Sequence, residues 1–255
     1  MSSFFLYFCI EMKRAIIVGA SSGMGLEVAK LLLADGWKIG IAARRVDKLN
    51  SMKAENEEMI EVAQIDVTQT DATERLLDLV ERLGGVDLYF HASGIGKQNP
   101  ELDMQVELNT VETNAMGFTR MVDSIFGYMA ENGGGHIAVI SSIAGTKGLG
   151  PSPSYSATKA FQNNYIEALE QLSNTRKLGI TFTDIRPGFV DTALLAGGNY
   201  PMLMRPERVA RSIVKAVKAH RHVKVIDFRY RVLVFFWRLI PRFIWRRLRL
   251  VNRTH

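Results

Sequence analysis

The 255-residue, 28.6 kDa chain is 47% hydrophobic and 23% charged, a balance that excludes wholesale disorder and suits one large α/β domain better than two. Its longest apolar runs, at 4–10 and 232–237, cover seven and six residues, far short of the about 20 that a spanning helix needs, so an ordinary transmembrane segment is excluded. The single cysteine, Cys9, cannot form an internal disulfide, and nothing points to an oxidising compartment.

The formal charge of +6 divides unevenly. Residues 229–255 hold eight arginines and no acid; without them, 24 basic residues face 26 acidic ones, a balance of −2. The basic character belongs to the tail, which argues against a nucleic-acid groove across the body.

Residues 2–10 lack a basic n-region and a small-residue cleavage pattern, so a secretory signal is not expected. Two readings of the leader, 1–11, stay open: an extension ahead of Met12 as the natural start, or a short packing arm. From there the hydrophobic pattern alternates. Strands are predicted at 15–18, 38–43, 60–65, 87–90, 136–141, 180–185 and 223–226. Helices are predicted between them at 23–34, 46–54, 71–83, over most of 101–130, at 155–178 and at 206–219, the last with Pro206 in its first turn. Strand–helix alternation means βαβ units, hence a parallel sheet covered on both faces. With no repeat and no low-complexity linker, the pattern gives a single α/β domain over 12–228 and a tail over 229–255.

The first strand runs into Gly19-Ala20-Ser21-Ser22-Gly23-Met24-Gly25 and then a helix. Glycines there permit a tight turn and let backbone N–H groups approach a pyrophosphate at the helix N-terminus. The alternative is a plain strand–helix turn. The second strand ends in Arg44-Arg45, with no acid before Asp47. A guanidinium suits the 2′-phosphate of NADP(H), whereas an acid would accept the 2′-hydroxyl of NAD(H), so NADP(H) is preferred and NAD(H) stands second. Two solvated arginines opening a helix are the bland reading. Asp66-Val67, beyond the third strand, sits where an adenine could rest, although an aspartate there is also a good turn former.

Tyr155 and Lys159 stand four apart, on one face of a helix, with Ser142 thirteen residues before the tyrosine. A phenol is a poor base at neutral pH, and a nearby ammonium is expected to lower its pKa. It could then exchange a proton with a substrate oxygen that also receives a hydrogen bond from Ser142.

Taken in order, the glycine turn, Ser142, Tyr155/Lys159 and Arg186-Pro187-Gly188-Phe189-Val190-Asp191-Thr192 resemble the short-chain dehydrogenase/reductase family over roughly residues 13–226. The resemblance implies a Rossmann-type doubly wound sheet and a homodimer or homotetramer. It also implies that Asn114 holds a water in a proton relay with the lysine. Pro187, Gly188, Val190 and Thr192 then pass beside the nicotinamide, and Ala92-Ser93-Gly94 follow the fourth strand at the cofactor. Two departures stand out: Val18 where the family usually has threonine, and His91-Ala92-Ser93-Gly94 where it usually has Asn-Asn-Ala-Gly. Exchanging both members of a buried polar pair can be nearly neutral, so a repacked site is expected, not a dead one. The basic glycine-loop residue of many NADP-preferring relatives is absent; Ser22 stands there.

His91 is expected to be structural, Asp184 and Asp191 to end a strand and a turn, and His220 and His222 lack a third ligand, so no metal site is supported. The segment 193–204 carries Leu194, Leu195, Tyr200, Met202 and Met204 with no fixed charge, which fits a small hydrophobic ketone or alcohol; packing on the body or on a second subunit is the equal alternative. In the tail, Arg238, Arg242, Arg246, Arg249 and Arg253 fall at helical spacing among Trp245 and other bulky residues, with Pro241 breaking an ideal helix. For a cytoplasmic protein, contact of the tail with the inner face of a membrane is favoured over an oligomer-packing extension. The resulting expectation is reduction of a 3-ketoacyl, sphingoid-type or steroid-like ketone. A non-catalytic dinucleotide-binding sensor or scaffold is the alternative, and no nucleic-acid partner is expected.

Overall fold

The computed structural model describes residues 12–195 and 200–249; the leader readings and Arg253 lie outside them. Seven parallel strands form one sheet: β1 (Arg14–Val18), β2 (Lys38–Ala43), β3 (Ile60–Gln64), β4 (Leu88–His91), β5 (Gly135–Ile140), β6 (Ile180–Arg186) and β7 (Val223–Val225), in the spatial order β3-β2-β1-β4-β5-β6-β7. The chain winds outward from β1 through β3, then returns to lay β4 beside β1. The loops after β1 and β4 therefore part at the carboxyl edge and open a crevice, the usual ligand position in such sheets.

Near-continuous apolar strands demand cover on both faces. On one face lie α1 (Gly23–Ala34), α2 (Asp47–Glu55) and α7 (Pro206–Lys218); on the other lie α3 (Ala72–Leu83), α5 (Phe118–Glu131) and α6 (Pro153–Arg176). The long helical stretch expected over 101–130 is interrupted. α4 (Met104–Val111) passes through a π-helical turn, Glu112–Gly117, before α5 begins. Gly117 ends that turn pressed against Val67: a Cβ there would stand 2.8 Å from the Val67 carbonyl oxygen.

The tail does not form one helical stripe. α8 (Phe228–Leu239) ends before Pro241 and only the short α9 (Arg242–Trp245) follows, so Arg238 and Arg242 sit on different helices and Arg249 beyond both. Proline has no N–H to continue the ladder. Both helices dock on the body. Tyr230 and Val234 are buried in the core, the Trp245 indole donates to the Gly148 carbonyl at 2.7 Å, and Lys147 donates to the Ile240 carbonyl at 2.8 Å.

Candidate active site

The glycine turn is built for close approach. Gly19 has φ +94°, and a Cβ on it would lie 2.7 Å from backbone atoms of Ala92 and Ser93. A Cβ on Gly25 would overlap the Gly19 carbonyl. α1 then starts at Gly23, with Met24 behind it; the Ser22 side chain caps nothing and the first turn holds no acid. Free N–H groups at the positive end of a helix fit a pyrophosphate. Thr192 closes on the same turn, its methyl carbon 3.1 Å from where a Gly23 Cβ would stand. Arg44 and Arg45, at the end of β2, are both exposed. Asp66 and Val67 have local tasks: the Asp66 carboxylate accepts from the Thr68 N–H at 3.1 Å and hydroxyl at 2.8 Å, and the Val67 carbonyl accepts from Arg120 at 2.6 Å.

Val18 and His91 are register partners across β1 and β4. His91 is fully buried, 2.9 Å from the Tyr89 hydroxyl through Nδ1 and edge-on to Phe118. Burial first, and the Lys159 charge second, bring its pKa down to about 3. It stays a neutral packing residue, as expected.

Ser142, 5% exposed after β5, starts a short 3-10 turn and accepts from the Ala144 N–H at 3.0 Å. The Pro187 carbonyl, 3.5 Å away, is its weak acceptor, which leaves the hydroxyl proton available to another oxygen. α6 brings Tyr155 and Lys159 to this point; its start is fixed by Glu107, which accepts from the Ser154 N–H at 3.0 Å. The Lys159 nitrogen lies 5.8 Å from the Tyr155 ring centre. Gly96 lets the ring settle, since a Cβ there would stand 2.6 Å from it.

The phenol's acidity departs from the expectation. Burial pushes Tyr155 above 10.0, and the Ser142 hydrogen bond offsets only part of this. Burial pulls the Lys159 ammonium down from 10.5 to about 8, against the Asp184 charge that favours it. Low-dielectric surroundings thus set the direction for both groups.

Asn114 lies in the π-helical turn and is fully buried. Its side chain is clamped to the backbone of Ile95, accepting from the N–H at 2.8 Å and donating to the carbonyl at 2.6 Å. Its own carbonyl accepts from Gln162 at 2.8 Å. Gln162 escaped the sequence reading, although its i+3 spacing from Lys159 was a usable signal. Asp184, 1% exposed, is more than a strand end: it pairs with Arg186 at 2.6 Å and receives the Ser141 hydroxyl.

After β6 the Pro187 carbonyl lies against the Ser142 turn, accepting from the Ile143 N–H at 3.1 Å. Val190 pairs with Met204 and closes the segment on itself. Tyr200 packs on Phe189, ring centres 4.8 Å apart, and Met202 joins the core around Tyr230. Of the residues expected to touch substrate, Leu194 is 43% exposed and Leu195 partly so. Among the described residues no group of three metal-ligating side chains occurs.

The crevice therefore joins a phosphate-receptive helix start to a serine, a tyrosine and a buried lysine. The family model for the short chain dehydrogenases matches residues 13–200. The chain is a short-chain dehydrogenase/reductase. An uncharacterized oxidoreductase of Myxococcus xanthus (strain DK1622) is 34% identical over 196 residues, 74% of this chain and 77% of the relative. Another from Staphylococcus haemolyticus (strain JCSC1435) is 33% identical over 217 residues, 83% and 93% of the two chains. Among solved structures, an actinorhodin polyketide ketoreductase with NADPH superposes with a TM-score of 0.73 at 25% identity, covering 84% of this chain and 95% of that one. A short-chain dehydrogenase from Streptomyces avermitilis shares the fold with a TM-score of 0.78 at 23% identity, over 89% and 92%. As a member of this family, the chain is an oxidoreductase acting between carbonyl and hydroxyl groups with NAD(P)(H).

Proposed function

We propose that this short-chain dehydrogenase/reductase uses NADPH to reduce a hydrophobic, lipid-like ketone of the 3-ketoacyl, sphingoid or steroid kind at the inner face of a cytoplasmic membrane. The observation that carries the reading is the grouping of Ser142, fixed by the Ala144 N–H, with Tyr155 and Lys159 on one helix face, the ammonium 5.8 Å from the phenol ring centre, where the phenol can give the proton that carbonyl reduction requires. Arg44 and Arg45, exposed at the end of β2 with no acid before Asp47, support a 2′-phosphate and hence NADPH. Gly19, Ser21, Ser22, Gly23, Met24 and Gly25 would hold the pyrophosphate; Asp66 and Val67 the adenine side; Ala92 to Gly94 and Pro187 to Thr192 the nicotinamide side.

Bound there, the nicotinamide supplies the hydride. The chain's part is to orient and protonate. Ser142, fixed by the Ala144 N–H, donates to the carbonyl oxygen and aligns it. Tyr155 transfers its proton to that oxygen. Lys159, charged below about pH 8, faces the developing phenolate and lowers the cost of forming it.

The site's surroundings support the substrate class. Leu194 and Leu195, on the short turn that follows Thr192, offer apolar surface without a fixed charge. The docked tail presents Phe235, Phe236 and Phe243, each about 60% exposed, among arginines; no described helix is long and apolar enough to cross a membrane. Aromatic rings at the headgroup boundary and arginines worth about 1 kcal/mol each near anionic lipid suit an interfacial position. On the other flank, Leu108, Met116 and Phe161 are exposed, which supports a homodimer or homotetramer. NADPH consumption over a panel of hydrophobic ketones tests the reading. Turnover of long-chain or polycyclic ketones supports it, and bound NADPH with no turnover of any ketone would favour a dinucleotide sensor instead.

A further inference from the structure

Lys159 is held from a direction that its family role does not require. Its ammonium donates to the Ile140 carbonyl at 3.0 Å and to Gln162 Oε1 at 2.9 Å. The Gln162 amide nitrogen donates in turn to the Asn114 carbonyl at 2.8 Å. Gln162 is fully buried, and Lys159 is 5% exposed. The glutamine side chain thus spans the gap between lysine and asparagine carbonyl that the family resemblance gives to a water.

We infer that Gln162 is a positioning residue that replaces the relay water with a fixed amide bridge, holding the Lys159 ammonium charged and aimed at Tyr155. The chemistry differs from that of a water. A water both donates and accepts through one oxygen and passes a proton by exchanging roles; an amide accepts at oxygen and donates at nitrogen, and cannot pass a proton without a costly tautomer. The bridge therefore orients and stabilises charge but does not conduct. Tyr155, itself partly exposed, must regain its proton from the crevice side and not through Asn114. Asn114 lies in the π-helical turn Glu112–Gly117, a local departure from the α-helical ladder of the kind found at functional sites.

Other charges act on the same ammonium and must be held constant. Asp184 on β6 favours its charged form, the neutral His91 on β4 feels it, and Tyr155 lies on its own helix. None of these hydrogen-bonds to Gln162, so a change at 162 reads the bridge.

The inference rests on Tyr155 as the proton donor, but its test does not need turnover. Lysine-selective isotopic labelling and NMR titration of the full chain, with Lys159→Met as the assignment blank, follow the Lys159 ammonium directly. Gln162→Met keeps the volume and removes both hydrogen bonds; Lys159 should then titrate about one pH unit lower. Gln162→Glu keeps an acceptor and adds a charge; Lys159 should titrate about one unit higher. With a ketone substrate, kcat for Gln162→Met should fall about tenfold at neutral pH while KM for NADPH stays within about threefold. Opposite displacements of the Lys159 titration support the bridge. Unmoved titration in either folded variant overturns it, and if the methionine variant fails to fold, the glutamate variant decides alone. Absence of ketone turnover with displaced titration would sink the catalytic reading and leave the bridge standing.

Discussion

Tyr230, in the tail, lies so close against Gly188, in the segment beside Ser142, that any Cβ at 188 would overlap its ring. The hydroxyl completes the joint: it accepts from the Phe189 N–H at 3.0 Å and reaches the carbonyls of Pro201 at 3.1 Å and Met202 at 3.2 Å. One tail residue thus fixes both ends of the loop that borders the site. Tyr230→Phe removes the hydroxyl and leaves the ring; it should lower stability by about 1–2 kcal/mol, read as a melting point lower by roughly 2–8 °C. It should also lower kcat/KM several-fold by loosening the 187–204 segment. Unchanged kcat/KM with a lowered melting point would confine Tyr230 to stability.

Deleting the tail is therefore a poor test of membrane contact, since Tyr230 and Trp245 are part of the packed body. Replacing Phe235, Phe236 and Phe243 together by serine spares those buried residues. Flotation with vesicles containing anionic lipid should drop by about tenfold or more, at unchanged melting temperature. Equal flotation of the two proteins would remove the membrane from the proposal.

Cofactor choice turns on the end of β2. Arg44→Ala should raise KM for NADPH by about tenfold to a hundredfold and leave KM for NADH within about threefold, as expected when one forked, charge-assisted contact to a phosphate is lost. Parallel losses for both cofactors would mean that the arginine reads no phosphate.

The pH dependence follows from the two buried groups. Lys159 has its pKa lowered to about 8, so its charge is present below that pH and lost above it. Burial raises the Tyr155 phenol from its ordinary value of 10.0. The rate of reduction should therefore hold steady from mildly acidic pH to about 8 and fall at higher pH. Alcohol oxidation, which needs the phenolate, should rise with pH instead. A reductive rate that climbs above pH 8 would contradict the assigned role of Lys159.

Much of this architecture was legible in the residues. The helix Gly23–Ala34 and the strand Lys38–Ala43 stand where periodicity put them, because buried parallel strands are continuous apolar runs and surface helices keep a 3.6-residue stripe. What escaped depends on distant contacts. The burial of Tyr230 needs a glycine at 188, and no local pattern announces that pairing. Pro241 signalled a break, but not that Lys147 and Gly148 would capture the chain on either side of it. Spacing put Tyr155 and Lys159 on one face, yet could not show how deeply both would be buried, which is why the phenol's pKa is raised where the expectation was that it would be lowered.

The most direct measurement is NADPH oxidation with a reactive hydrophobic ketone by the parent and by Tyr155→Phe, alongside NADPH binding by fluorescence. Loss of about a hundredfold or more in kcat with binding kept within about threefold is the expected result for a missing proton donor. A phenylalanine variant that still binds NADPH and turns over within about threefold of the parent would show that the proton comes from elsewhere.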